Sequence, residues 1–304
     1  MSGQLIDLNF NIDIKRIEHF KMIYGGVYYD QRPDDEFKRR FTSRIHQINF
    51  LKSDHIHKDL LLLRDGSIVL LNENQVIVYD ENIENPKLLV NADCLNVRPH
   101  CITYDSQHQN MYMAGYDCII KANMKFDITA RFNFKKDESF ISSIYFQHNT
   151  VFACDFKRRR ILLLTADKLE YIHSLELYYK PVQIIVNYST ICIRSGDFNS
   201  VHFYDLKTFR LKSRYYGHCG FISIIDSFFC EFDVLNAKFY FYNSEGVKDD
   251  EEIENGFFKI IQNDAKTIAE KCLINGKIIN LQDSLLILLR QKNDKTLLLR
   301  LFDA

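Results

Sequence analysis

A short apolar run that ends in a polar residue recurs about every forty residues, and this repeat limits the possible folds more than any other feature of the chain. The six copies are VIVYD (76–80), IIKAN (119–123), ILLLT (161–165), VHFYD (201–205), FYFYN (239–243) and LLRLFD (298–303). Successive copies end 43, 42, 40, 38 and then 60 residues apart. Periods of this size, with short β-rich runs between turns, are typical of β-propeller blades. The repeat therefore predicts an all-β fold: a single closed six-bladed β-propeller of four-stranded antiparallel blades.

The same spacing assigns residues 1–304 to one propeller domain. The predicted blades cover about 46–97, 98–137, 138–179, 180–219, 220–256 and 257–304. The last blade shows only three apolar runs, whereas residues 5–10 alternate apolar and polar side chains as an exposed outer strand does. Residues 5–13 are therefore predicted to complete the last blade as an N-terminal strand that closes the ring and leaves no free sheet edge. Residues 14–45 fit no blade and are predicted to be a charged insertion.

Composition excludes several classes of protein. The chain is 46% hydrophobic with 24 Phe and 17 Tyr, which is ample for a large core, and it has no Trp, which disfavours WD-type repeats. A net charge of −1 gives no overall attraction to nucleic acid or to an anionic membrane. No stretch approaches ~18 uninterrupted apolar residues, so we expect no transmembrane helix. The N-terminus shows no secretory signal pattern.

The eight cysteines are scattered, and none forms a C-x-x-C pair. Several lie inside apolar runs, as Cys154 and Cys192 do. Such residues are typically reduced core side chains and not disulfide partners. Together with the absence of a signal pattern, this predicts a cytoplasmic protein, with the nucleus as the alternative location.

The third predicted blade resembles the NHL repeat. That repeat has an apolar pair, an Asp, a short turn, and then Arg-Ile followed by an apolar strand; here Val151–Asp155 is followed by Arg160-Ile161. Pro181 and the run that ends at Asp205 resemble the opening and the end of the same repeat in the fourth blade. The resemblance implies a six-bladed propeller that acts as an interaction module for proteins or single-stranded RNA. It also implies that Asp155 and Arg160 form a structural pair within the repeat.

No arrangement of residues predicts a catalytic site or a cofactor. The chain lacks the G-x-S-x-G elbow, the P-loop and the G-x-G-x-x-G fingerprint. His55 and His57 have a spacing that places two imidazoles on one side of a strand, but no third metal ligand can be assigned. We therefore expect no enzyme activity, no cofactor and no metal. A metal-dependent hydrolase or lyase of the six-bladed type is the second alternative.

The basic run Lys157-Arg158-Arg159-Arg160 is the most distinctive local feature. It lies in the turn between the second and third strands of its blade, which opens on the same face as the links between blades. The predicted partner or RNA face combines the first three cations with two such links: Lys135, Lys136, Lys157, Arg158, Arg159, Tyr178, Tyr179 and Lys180. Cations beside aromatic rings suit single-stranded nucleic acid, because phosphates are neutralised and bases stack. The alternatives are a peptide-binding face and a solvated turn. Arg210, Lys212 and Arg214 alternate on an outer strand, where charge discourages edge pairing.

These observations predict a non-enzymatic scaffold that presents a propeller face to a protein or peptide partner. By resemblance, the scaffold belongs in a ubiquitin-ligase-type or regulatory assembly, although the chain has none of the paired Cys/His spacings that ligase zinc modules need. A single-stranded RNA-binding propeller is the first alternative. Neither DNA nor a membrane is an expected partner.

Overall fold

In the residues that this computed structural model describes, the strands pair in four-stranded antiparallel sheets. The structure describes residues 48–51, 57–72, 74–79, 86–95, 97–135, 137–187, 189–216, 220–225, 228–233, 238–243, 245–248, 253–254, 273–280, 284–291 and 296–302. The predicted N-terminal strand 5–13 and the insertion 14–45 lie outside these ranges.

Five blades are each built from four strands that follow one another in the chain. Blade I contains β2 (His57–Leu62), β3 (Ile68–Asn72), β4 (Gln75–Tyr79) and β5 (Pro86–Asn91), and a 3-10 helix (Ala92–Leu95) follows it. Blade II contains β6 (Pro99–Asp105), β7 (Asn110–Gly115), β8 (Cys118–Ala122) and β9 (Ile128–Asn133). Blade III contains β10 (Ile141–Gln147), β11 (Thr150–Asp155), β12 (Arg160–Thr165) and β13 (Tyr171–Glu176). Blade IV contains β14 (Pro181–Asn187), β15 (Thr190–Ser195), β16 (Ser200–Asp205) and β17 (Leu211–Tyr216). Blade V contains β18 (Gly220–Ile225), β19 (Phe228–Asp233), β20 (Lys238–Tyr242) and β21 (Ile253–Glu254).

A further sheet joins both ends of the described chain, and we call it the composite sheet. It contains β1 (Ile48–Leu51), β22 (Leu273–Asn280), β23 (Ser284–Gln291) and β24 (Thr296–Phe302), in the order β1-β24-β23-β22. The sequence predicted a closed ring of six four-stranded blades, the last of which is completed by residues 5–13. The described strands show five blades, not six, and the composite sheet takes its fourth strand from residues 48–51. The sequence prediction also placed residues 46–51 in the first blade. That boundary is wrong, because β1 pairs with β24 and blade I begins at β2.

Burial explains why the repeat is visible in the sequence. All six apolar runs fall on the third strand of their sheet, from β4 to β24. In β12 the four residues from Ile161 to Leu164 are all buried, because neighbouring blades cover both faces of the strand. Every residue of the outermost strands β9 and β17 is exposed or half-buried. The core therefore lies between successive blades, where each packed cluster draws its side chains from two of them.

The strand order fixes which loops share a face. Within a blade, the turn between the second and third strands opens on the same side as the link to the next blade, because neighbouring strands run antiparallel. We call this side the link face and the other side the opposite face. On blades II to IV the link face carries the turns 116–117, 156–159 and 196–199, the described parts of the first link (134–135 and 137–140) and the link 177–180.

Candidate functional site

The basic run occupies a tight link-face turn that is set by Asp155. The Asp155 carboxylate accepts a hydrogen bond from the backbone N–H of Arg158 at 3.3 Å, and Asp is a favoured first residue of a β-turn. Arg159 then adopts a left-handed conformation with φ of 53°. These two features reverse the chain so that Asp155 and Arg160 face each other as paired residues of β11 and β12.

Asp155 is also the buried centre of a small polar network. The side chain is fully buried and accepts hydrogen bonds from Ser139 Oγ at 2.9 Å and from Arg160 Nε at 3.2 Å. Because Ser139 belongs to the link that enters blade III, the network ties that link to the turn. Asp155 and Arg160 thus lie together, as the resemblance implied.

The three other cations of the run hold the neighbouring links. Lys157 Nζ donates to the backbone carbonyl of Asp137 at 3.0 Å, and Arg158 forms an ion pair with Glu138. Arg159 Nη1 lies 3.5 Å from the backbone carbonyl of Tyr178, in the link that leaves the blade. The structure therefore brings the run beside both predicted links. Lys135 is exposed in the entering link, and Lys136 lies outside the described residues.

The tyrosine pair that follows blade III divides between surface and core. Tyr178 is 52% exposed, whereas Tyr179 is fully buried and its hydroxyl lies 3.2 Å from that of Tyr204. Tyr179 is thus not accessible for stacking on a ligand, and its predicted place on the face is wrong. Lys180 is half-buried, and its ammonium lies 5.3 Å from the centre of the Phe156 ring, within cation–π distance.

Two aromatic residues that sequence reasoning missed lie beside Tyr178. Phe198 and Tyr216 are 49% and 52% exposed, and the centre of the Phe198 ring lies 6.1 Å from that of Tyr178. Phe198 belongs to the link-face turn of blade IV, and Tyr216 ends β17 at the same face. We call Tyr178, Phe198 and Tyr216 the aromatic patch. Its members come from three separate segments of the chain.

The buried imidazole of His202 supports the patch from below. Tyr178 and Tyr216 meet this ring edge-on, with centroid distances of 5.9 and 6.3 Å. The side chain is fully buried, and Nε2 lies 2.8 Å from Ser200 Oγ. Burial and the nearby positive charge of Arg214 lower the pKa of His202 to about 4, so the ring is neutral at pH 7.

Arg214 lies at the exposed edge of the patch. Its guanidinium carbon is 5.4 Å from the centre of the Tyr216 ring, and a hydrogen bond with the Tyr178 side chain raises the pKa of the arginine. The sequence pattern predicts for Arg214 only a position on an outer strand whose charges prevent edge pairing. In the structure it also connects two members of the patch.

A second group of rings continues along the link face toward blade II. Tyr116 and Phe140 lie 4.7 Å apart, and His100 meets both rings edge-on. Phe140 lies 6.1 Å from Phe156, which in turn carries the Lys180 ammonium. Aromatic contacts therefore extend over the link face of three adjacent blades.

Several cations on this face have no acidic partner. Within the described ranges, no carboxylate lies within ion-pair distance of Arg159, Lys180 or Arg214, whereas Arg158 and Arg160 are each paired. Asp197, in the turn that also carries Phe198, accepts a hydrogen bond from the backbone N–H of Lys180 at 3.0 Å. The patch thus lies among unneutralised positive charges.

No group of three or more His, Cys, Asp and Glu side chains that could hold a metal ion was found in the part of the chain that the structure describes. A search of the same residues for a helix long and apolar enough to span a membrane found none.

Comparisons with known proteins support the architecture. The chain matches streptogramin B lyase with a TM-score of 0.58 and 13% identity over 84% of this chain and 88% of that one. It matches U3-55K with a TM-score of 0.57 and 9% identity over 80% of both chains. A protein of unknown function from Bacteroides caccae gives 0.51 and 11% over 66% of this chain and 84% of that one. The chain is a β-propeller. At these identities the likeness extends to the fold alone.

No family model and no curated protein matches the sequence. The NHL resemblance therefore stays a prediction.

Proposed function

We propose that this protein is a non-enzymatic scaffold that binds a protein or peptide partner on its link face. The observation that carries the proposal is the aromatic patch, in which half-exposed Tyr178 and Tyr216 pack edge-on against a buried imidazole and half-exposed Phe198 lies beside Tyr178. Exposed, clustered Tyr and Phe side chains are enriched at protein interfaces and provide much of their binding energy. The propeller fold agrees with such a role, since it displays loops from several blades on one surface.

The opposite face offers a contrast within the same molecule. Its large exposed hydrophobic side chains, as far as the structure describes them, come from different blades and include a single aromatic residue: Ile128, Tyr171, Leu211 and Val247. Isolated apolar residues of this kind are ordinary on protein surfaces. Tyr171, at 56% exposure, is therefore a suitable control for Tyr178.

Affinity capture with matched variants tests the proposal. The immobilised wild-type protein, the patch variant Y178S/F198S/Y216S and the control Y171S are exposed to the same extract, and circular dichroism checks that each is folded. We expect a partner to be retained by the wild type and the control and lost by the patch variant. Equal retention by all three proteins would show that the patch is not the binding surface.

Single-stranded RNA is the second candidate ligand, because Arg159 and Lys180 lie beside Tyr178 and Lys157 belongs to the same turn as Arg159. The variant K157E/R158E/R159E should then lose binding, and each lost phosphate contact should flatten the slope of log K against log salt by about 0.7. If the wild type shows no salt-sensitive binding to a pool of RNA oligonucleotides at low ionic strength, this candidate fails. The ion pair of Arg158 with Glu138 and the burial of Tyr179 favour the protein partner.

We also propose that the composite sheet acts as a sixth blade and closes the ring. Its innermost strand β22 contacts β18 of blade V and β2 of blade I, and β1 pairs with β24 at its outer edge. Deleting Ile48–Leu51 should then lower the unfolding temperature of the whole domain in one transition. A separate low-temperature transition of the composite sheet alone would argue against closure.

The sequence pattern alone supports three further proposals. The protein is of the NHL type, it belongs to a ubiquitin-ligase-type or regulatory assembly, and it is located in the cytoplasm or the nucleus. Imaging of a fluorescent fusion tests the location.

A further inference from the structure

We propose that the aromatic patch binds an acidic peptide segment that also carries aromatic or aliphatic side chains. This inference rests on the scaffold function proposed above and specifies the chemistry of its partner. The charges around the patch are mostly positive. Arg159, Lys180 and Arg214 lie around Tyr178 without a carboxylate in ion-pair distance among the described residues, and the Asp197 carboxylate is bound by the backbone N–H of Lys180. A partner that buries the rings must bring carboxylates to these cations, since an unpaired buried charge is costly.

The patch is already held in place before a partner arrives. The link that carries Tyr178 is fixed at both ends, because Leu177 N–H donates to the Arg159 carbonyl at 2.7 Å and Gly196 N–H donates to the Lys180 carbonyl at 2.9 Å. The Tyr178 ring packs edge-on against buried Tyr179 with a centroid distance of 5.0 Å. A surface that is ordered in advance loses little conformational entropy on binding.

The arrangement of charge favours a peptide over RNA. Two of the four cations in the basic run are paired with carboxylates, Arg158 with Glu138 and Arg160 with Asp155. The cations that remain are placed around the rings and come from separate segments, so they do not form a continuous track for a phosphate backbone. Aromatic area at the centre with charge at the rim is the usual composition of a protein interface.

A selection from a displayed library of short random peptides tests the inference. The bait is the full chain, and the selected peptides are then measured against three proteins. These are the wild type, the rim variant R159Q/K180Q/R214Q and the opposite-face control K125Q/K168Q/R210Q. We expect the selected peptides to be enriched in Asp or Glu together with Phe, Tyr, Trp or Leu. Their affinity should fall at least about tenfold for the rim variant and stay unchanged for the control.

Each other outcome overturns the inference. It fails if no peptide is enriched, if the enriched peptides lack acidic residues, or if the rim variant binds them as tightly as the wild type. A pool of single-stranded RNA oligonucleotides is measured in parallel. RNA binding that the rim variant loses, without peptide enrichment, would assign the patch to nucleic acid instead.

The two proposals fail in distinguishable ways. If a captured partner is lost by Y178S/F198S/Y216S but still binds R159Q/K180Q/R214Q, the scaffold function stands and the acidic character of the partner is wrong. If the partner binds both variants, the link-face scaffold itself is wrong.

Discussion

The phenol ring of Tyr179 stacks on the imidazole of His202, with the two centroids 4.2 Å apart and the ring planes 22° from parallel. Both side chains are fully buried, and Nδ1 of His202 has no hydrogen-bond partner in the described structure. A protonated imidazole would need an acceptor for both N–H groups, and it would lie near the positive charge of Arg214. The stack under the aromatic patch is therefore stable only with a neutral histidine.

This relationship predicts that stability falls in mild acid. The pKa of His202 is lowered from 6.5 to about 4 in the folded protein, so the unfolded chain binds one more proton between these values. The contribution of His202 is fully present above pH 6.5 and decreases as the pH falls toward 4. Between pH 7 and pH 5 the wild type should lose about 2 kcal/mol more than H202F, which keeps a ring at the stack.

Urea unfolding of both proteins at the two pH values measures this difference. Both proteins contain the same carboxylates. Subtracting the stability loss of H202F from that of the wild type therefore cancels the contribution of carboxylates that titrate in this pH range. Parallel loss of stability in the wild type and H202F would show that His202 does not carry the effect.

Much of the architecture could be predicted from the sequence, because some strands are buried on both faces. Third strands such as β12 are covered on both faces, so they appear as continuous apolar runs at a regular spacing. The pairing of β1 with β24 left no such signal, because Ile48–Leu51 is four residues long and lies close in sequence to blade I. No local pattern indicates that its partner lies near the other end of the described chain.

The candidate site was predictable only where it coincided with a charge run. The basic turn and Tyr178 were found, whereas Phe198 is a single aromatic residue in a polar turn, and Tyr216 belongs to a Tyr215-Tyr216 pair at the end of an outer strand that was interpreted from its charges alone. An alignment of the link-face turns of blades III and IV would have found Phe198. It lies three residues after Ser195, which is the position that Arg158 has relative to Asp155. Burial of Tyr179 was not predictable, because adjacent residues in an irregular link do not follow a fixed alternation.

The cysteines should differ sharply in reactivity. Cys94 is exposed, whereas Cys154, Cys192 and Cys230 are buried, and burial raises their thiol pKa well above the usual value. Iodoacetamide at pH 8 should therefore label Cys94 in the native protein and leave these three unlabelled until urea is added. Peptide mass spectrometry identifies the labelled positions. Rapid native labelling of Cys192 would contradict the packing between blades IV and V.

Gly246 should be intolerant of any side chain. Its φ of +75° is in the left-handed region, and an added Cβ would lie 2.4 Å from Cγ of Phe203, which is fully buried. G246A should therefore lower the free energy of unfolding by about 2–4 kcal/mol, from backbone strain together with overpacking. The neighbouring V247A is the control, because Val247 is exposed. Equal urea midpoints for the two variants would show that the loop relaxes without cost.

The two ion pairs of the basic run, Arg160 with Asp155 and Arg158 with Glu138, should contribute very differently to the free energy of unfolding. Asp155 is fully buried and binds Ser139, Arg160 and the Arg158 N–H, so D155A leaves three donors without their acceptor. We expect a loss of about 3–5 kcal/mol, as for other broken buried pairs. R158A removes only a solvent-exposed pair with Glu138 and should change stability by less than about 1 kcal/mol. Urea unfolding compares the two variants. A small loss in D155A would mean that the turn is held by its backbone alone, and Asp155 would then have no structural role in the repeat.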